Sequence, residues 1–109
     1  MDAHVEADLY CKLESDGGRR SPFFSGYRPC FRFDGVDNGA TIILLDRDSM
    51  SGGETGRVSL SFHAPQLQAG RLFVGAEFGI AEGARIVATG TITAIHDPSM
   101  VTDSPDSGG

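Results

Sequence analysis

Short runs in which apolar and polar residues alternate strictly constrain this chain more than any other feature. A period of two belongs to a strand with one buried face and fits no helix. Val5-Glu-Ala-Asp-Leu-Tyr-Cys-Lys-Leu13 sets Val5, Ala7, Leu9, Cys11 and Leu13 on one face and Glu6, Asp8, Tyr10 and Lys12 on the other. Arg28 to Phe33 repeats the pattern with Phe31 and Phe33 inward, and Thr41 to Leu45 follows a turn over Asp34-Gly-Val-Asp-Asn-Gly39. Val58-Ser-Leu-Ser-Phe62 alternates again after a long loop from Asp46 to Gly56. Leu72 to Phe78 and Arg85 to Ile95 complete the series on either side of a tight turn at Glu82-Gly-Ala84. Six short strands and no amphipathic helix predict an all-β fold: a small six-stranded antiparallel β-barrel, closed so that few strand edges stay open.

A chain of 109 residues makes one domain, able to withdraw roughly two thirds of its unfolded surface from water. We expect the barrel over residues 1–95. The remainder, 96–109, is acidic and rich in Pro, Ser and Gly, the composition of a disordered tail. The net charge is −6, but Asp97, Asp103 and Asp106 all fall in that tail, so the barrel itself is only mildly acidic. Such a balance disfavours field-driven binding of nucleic acid, which needs clustered Lys and Arg. No apolar run is long enough to span a membrane, and Met1-Asp-Ala-His-Val-Glu6 is acidic where a signal peptide is basic, so the expectation is a cytoplasmic protein. Cys11 and Cys30 have opposite strand parity, which predicts a buried and an accessible free thiol rather than a bridge.

One segment is too polar for a core and too ordered in composition for a linker: Asp16-Gly-Gly-Arg-Arg-Ser-Pro-Phe-Phe-Ser-Gly-Tyr-Arg-Pro-Cys-Phe-Arg-Phe33. Gly17 and Gly18 permit backbone angles denied to other residues, while Pro22 and Pro29 keep their neighbours extended. Arg19, Arg20 and Arg28 are thereby held on a stiff frame suited to anions. Gly17, Gly18, Arg19, Pro22, Phe23, Phe24, Gly26, Tyr27, Arg28, Pro29 and Phe31 together resemble the C-terminal, third β-barrel domain of bacterial elongation factor Tu. That domain carries Gly-Gly-Arg-x-x-Pro-Phe-Phe-x-Gly-Tyr-Arg-Pro-x-Phe in the same place. The similarity extends to Glu82-Gly-Ala-Arg-Ile-Val-Ala-Thr-Gly90 and spans residues 5–95.

The resemblance implies a stand-alone, non-enzymatic binding module connected with translation. In the family this barrel packs on the nucleotide-binding domain and touches the T-stem backbone of aminoacyl-tRNA. It therefore implies RNA contacts by Arg19, Arg20, Glu82, Gly83 and Arg85, and a protein interface at Phe23, Phe24, Tyr27, Arg28 and Cys30. Two departures weaken the RNA side: Ala81 stands where the family commonly has a basic residue, and Cys30 where it often has a polar one. The expected partner is thus a protein that recognises elongation factor Tu, with tRNA binding and a homo-oligomeric accessory role as the alternatives.

Catalytic chemistry finds no foothold in the residues. A P-loop needs Lys after Gly, yet the single lysine, Lys12, follows Cys11; the guanine-reading Asn-Lys pair fails because the single asparagine, Asn38, precedes Gly39. GTP binding is therefore not expected. His4, His63 and His96 lie singly, without metal-ligand spacing, so no cofactor or metal is expected either.

Overall fold

The computed structural model describes residues 3–102. Its strands, in chain order, are β1 (Val5–Cys11), β2 (Phe23–Phe24), β3 (Cys30–Phe33), β4 (Val36–Leu44), β5 (Ser49–Met50), β6 (Thr55–Phe62), β7 (Glu77–Glu82) and β8 (Arg85–Ile95). Six of them close an antiparallel barrel in the order β1-β6-β4-β3-β7-β8, and β2 pairs with β5 as a separate two-stranded flap. Three short 3-10 turns, Glu14–Asp16, Pro65–Gln68 and Pro98–Met100, are the only helical segments among the described residues. None is long and apolar enough to cross a membrane. The all-β six-stranded barrel expected from the alternation is the observed fold.

Alternation builds the core directly. Val5, Ala7, Leu9 and Cys11 of β1 point inward, as do Ala40, Ile42 and Leu44 of β4, Val58, Leu60 and Phe62 of β6, and Phe78 and Ile80 of β7. At the centre lies Phe31, fully buried, with its ring 4.8 Å from Phe62 in an edge-to-face arrangement and 4.7 Å from Phe78. Aromatic contacts of this geometry add about 0.5–1.5 kcal/mol each beyond the area they bury.

Several boundaries differ from the sequence reading. Only Asp34 and Gly35 form the first hairpin turn, at φ 52° and 78°. Positive φ at both central residues gives the tight two-residue hairpin whose twist matches the flanking strands, so β4 begins at Val36 rather than after Gly39. Leu13 was expected inward but is exposed, because β1 ends at Cys11 where the chain turns into the first 3-10 segment. Phe33, also expected inward, is only partly buried against the core. The strand expected over Leu72 to Phe78 begins instead at Glu77 and runs to Glu82. Leu72 is fully buried, but it pairs outside the barrel, in a parallel bridge with Val101.

That bridge corrects the tail as well. Residues 96–102, expected as the start of a disordered segment, are bonded to His4, Gly70 and Leu72. Asp97 accepts from the Ser99 backbone N–H at 3.0 Å, the Leu72 N–H donates to the Met100 carbonyl at 2.8 Å, and the Met100 side chain has no exposure. One methionine placed against Leu72 outweighs the polar composition around it. The expectation for 103–109 lies outside the described residues. Met100→Ala should lower stability by about 2 kcal/mol, near the lower limit for truncating a buried methionine, as read by urea denaturation. An unchanged midpoint would mean that the segment does not dock.

Candidate functional site

The loop joining β1 to β3 folds before it presents anything. The 3-10 turn Glu14–Asp16 ends at Gly17, whose φ of 98° suits glycine. Gly18 has no such backbone need, contrary to the reading of both glycines as conformational. Its N–H instead donates to the Leu13 carbonyl at 2.9 Å, and a Cβ built on it would stand 2.0 Å from the Lys12 carbonyl oxygen. Close packing on the end of β1 is thus what requires glycine. Further along, Gly26 N–H donates to the Ile42 carbonyl at 2.9 Å, Ile42 N–H returns to the Tyr27 carbonyl at 2.8 Å, and Ser25 Oγ accepts from Leu44 N–H at 2.9 Å. The end of the loop, residues 25–29, is laced to β4.

These constraints bring Arg19 and Tyr27 together with Glu82 and Arg85, two pairs more than fifty residues apart in sequence. Arg19 Nη1 and the Tyr27 hydroxyl both donate to Glu82 Oε2, and Arg85 Nη2 lies 3.7 Å from Glu82 Oε1. The Arg19 guanidinium sits 4.8 Å over the Tyr27 ring and also donates to the Ser21 carbonyl at 3.2 Å. Burial alone would raise the Glu82 carboxyl, but the bonds from Tyr27 and Arg19 outweigh it and hold the group below its usual range. Tyr27 moves far upward, first through burial and then through its bond to the carboxylate. Burial would lower Arg19, yet the Glu82 bond carries it upward, so both partners stay charged.

The other expected site residues separate. Phe23 is core: it is 4% exposed, pairs with Met50 across the flap and packs 4.5 Å from the Tyr27 ring. It cannot belong to an interface as placed. Phe24, next along β2, is 60% exposed because strand parity turns it to the opposite side. Arg28 is exposed and makes no hydrogen bond or ion pair with the described residues. Arg20 points into solvent, with a 3.3 Å contact to Glu14; a pair this open contributes about 0–1 kcal/mol and does not fix it. Cys30 is half-buried, Gly83 sits at the hairpin tip with φ 63°, and Ala81 is buried beside it.

Arg32 belongs to the same region and was not singled out from the sequence. It grips Asp37 with two bonds, at 2.6 and 2.9 Å, and reaches the Gly83 carbonyl at 3.5 Å. The signal was available: Arg32 and Asp37 face each other across the Asp34-Gly35 hairpin. Beneath the loop, Cys11, Arg19, Phe23, Tyr27 and Met50 line a crevice with about 10 Å³ for the centre of a water molecule, space for one. Burial, with Glu54 adding to it, pushes the Cys11 thiol up to about 11.

Both cysteines are free. At mildly alkaline pH a thiol reagent should therefore modify half-buried Cys30 first and Cys11 only on unfolding, since the thiolate is the reactive species. Rapid native labelling at both positions would contradict the register of β1. The histidines stay apart in role. His4 Nδ1 accepts from Phe62 N–H at 2.9 Å, His63 meets Thr41 at 2.8 Å and His96 meets Glu6 at 2.8 Å. Among the described residues no group of three metal-ligating side chains converges.

What this geometry offers is a partly charged, partly aromatic surface. No protein-family model matches the chain.

Proposed function

We propose that this chain is a non-catalytic binding barrel of the elongation factor Tu C-terminal kind, engaging a protein partner of the translation apparatus through the surface around Phe24, Tyr27 and Arg28. One observation carries the preference for protein over RNA. Arg19 is turned inward and Phe24 outward: Arg19 is held by Glu82 and Tyr27, while Phe24 stands 60% exposed. Exposed aromatic and arginine side chains on a rigid frame are what protein interfaces select for their energetic centres. The net charge of −6 repels a polyanion at long range.

The link to translation is supported by the Gly17 to Phe31 motif. A second reading, contact with a tRNA backbone, draws on Arg20, Arg28 and Arg85, all exposed. Affinity capture with the intact protein separates the two. The protein-partner reading expects a defined bound protein that survives RNase and is lost with Phe24→Asp, a surface change that leaves the core intact. Capture abolished by RNase would overturn it in favour of RNA.

A further inference from the structure

We propose that Glu82 is an internal competitor for phosphate: its carboxylate occupies a cradle made by Arg19, the Tyr27 hydroxyl and Arg85, and so keeps this hairpin closed to a phosphodiester backbone. The inference deepens the reading above, and rests on it for the claim that the chain as it stands works through protein.

The cradle has the form of an anion site. Two donors converge on Glu82 Oε2 and a second guanidinium lies 3.7 Å from Oε1. Guanidinium groups meet the paired oxygens of carboxylate and phosphate with the same fork, so one anion can stand in for the other. The frame around it is fixed without Glu82, since Arg19 also bonds the Ser21 carbonyl and Tyr27 is tied to Ile42 through its backbone. Removing the carboxylate charge therefore leaves the donors in place.

Charge decides the outcome. Around the hairpin tip, Arg19, Arg32 and Arg85 face Glu82 and Asp37. Three positive groups against two negative leave a local charge of +1, and of the two guanidiniums nearest the cleft Arg19 is already hydrogen-bonded to Glu82 while Arg85 is ion-paired with it at 3.7 Å. A phosphate arriving from solvent must displace a tethered carboxylate, whose effective concentration is far above that of any free ligand. Neutralising Glu82 raises the local charge to +2 and releases both arginines at once. Glu82 is thus a residue that sets specificity, refusing polyanions on a surface otherwise equipped to hold one.

The experiment is a fluorescence titration of a short RNA duplex with the intact protein, across a salt series up to about 0.15 M. Wild type should bind negligibly at the upper end. Glu82→Gln should bind about tenfold more tightly than wild type at low salt, with a log-log salt slope steeper by about one unit for the phosphate gained. Adding Arg19→Ala to that variant should return binding to the wild-type level.

Two controls keep the test decisive. Glu77→Gln makes the same charge change on the exposed outer face of β7, and its binding should stay at the wild-type level. Tyr27→Phe loosens the carboxylate without changing any charge and should give a smaller gain, about threefold, so the inference remains testable even if Glu82→Gln fails to fold. Absence of any gain in both Glu82→Gln and Tyr27→Phe would overturn the inference and leave the protein-partner reading standing. An equal gain in Glu77→Gln would overturn it too, by reducing the effect to net charge. Tight binding by wild type at about 0.15 M salt would overturn both.

Discussion

Replacing Phe31 by alanine should lower the unfolding free energy by about 3–5 kcal/mol, the usual range for emptying a buried phenylalanine site. The ring has no exposure and packs on Phe62, Phe78 and Phe33, three aromatics contributed by β6, β7 and its own strand. In a closed barrel the strands cannot slide inward to fill the hole without breaking ladders on both sides. The lost volume therefore persists as a cavity, and relaxation recovers little of the loss. For a domain of this size the melting temperature should fall by well over 10 °C, at about 4–8 °C per kcal/mol. A fall of only a few degrees would mean that the barrel interior is loosely packed around this position.

Gly18→Ala should have the second largest effect, and it separates two roles that a pair of glycines conceals. The new Cβ would stand 2.0 Å from the Lys12 carbonyl oxygen, 2.6 Å from its carbon and 2.9 Å from the Leu13 carbonyl oxygen. All three obstacles are backbone, which cannot rotate aside as a side chain does. Either the loop lifts from the end of β1 or β1 itself shifts, at about 3 kcal/mol, the upper part of the usual overpacking range. Lifting the loop also withdraws Arg19 from Glu82, so the loss includes that pair. Gly17→Ala meets no atom within 4 Å but must hold φ near 98°, a strain of about 1–2 kcal/mol. Thermal unfolding of the two variants should rank Gly18→Ala as the more damaging. The reverse ranking would place the constraint in the turn rather than in the packing.

The barrel was legible because the cores of β1, β4 and β6 are written in a period that admits one reading. Cys11 inward and the Glu82-Gly83-Ala84 turn followed from the same pattern. What escaped the sequence depends on contacts between distant segments. Met100 sits among Asp, Pro, Ser and Thr, and only its meeting with Leu72 makes it a core residue. β2 and β5 are two residues each, too short to show a period, and their pairing turned Phe23 from an expected interface residue into core while leaving Phe24 outside.

The candidate site was half visible. Arg19, Glu82 and Arg85 were marked individually as groups facing RNA, and they do lie together, but their mutual neutralisation depends on the fold bringing residues 19 and 82 into contact. A sequence lists charges without saying which of them are already paired. Arg32 shows the same limit from the other side, since its grip on Asp37 lies within one hairpin but its reach to Gly83 appears only once both hairpins stand next to each other.

Hydrogen-deuterium exchange of the purified protein, alone and in its RNase-resistant complex, tests most directly the claim that this barrel works through a protein contact at the β2 surface. The account predicts slowed exchange across residues 23–28 and 49–50 in the complex, with the outer face of β1 and β8 unchanged. Protection confined to the β1 and β8 face, with residues 23–28 exchanging as in the free protein, would contradict it.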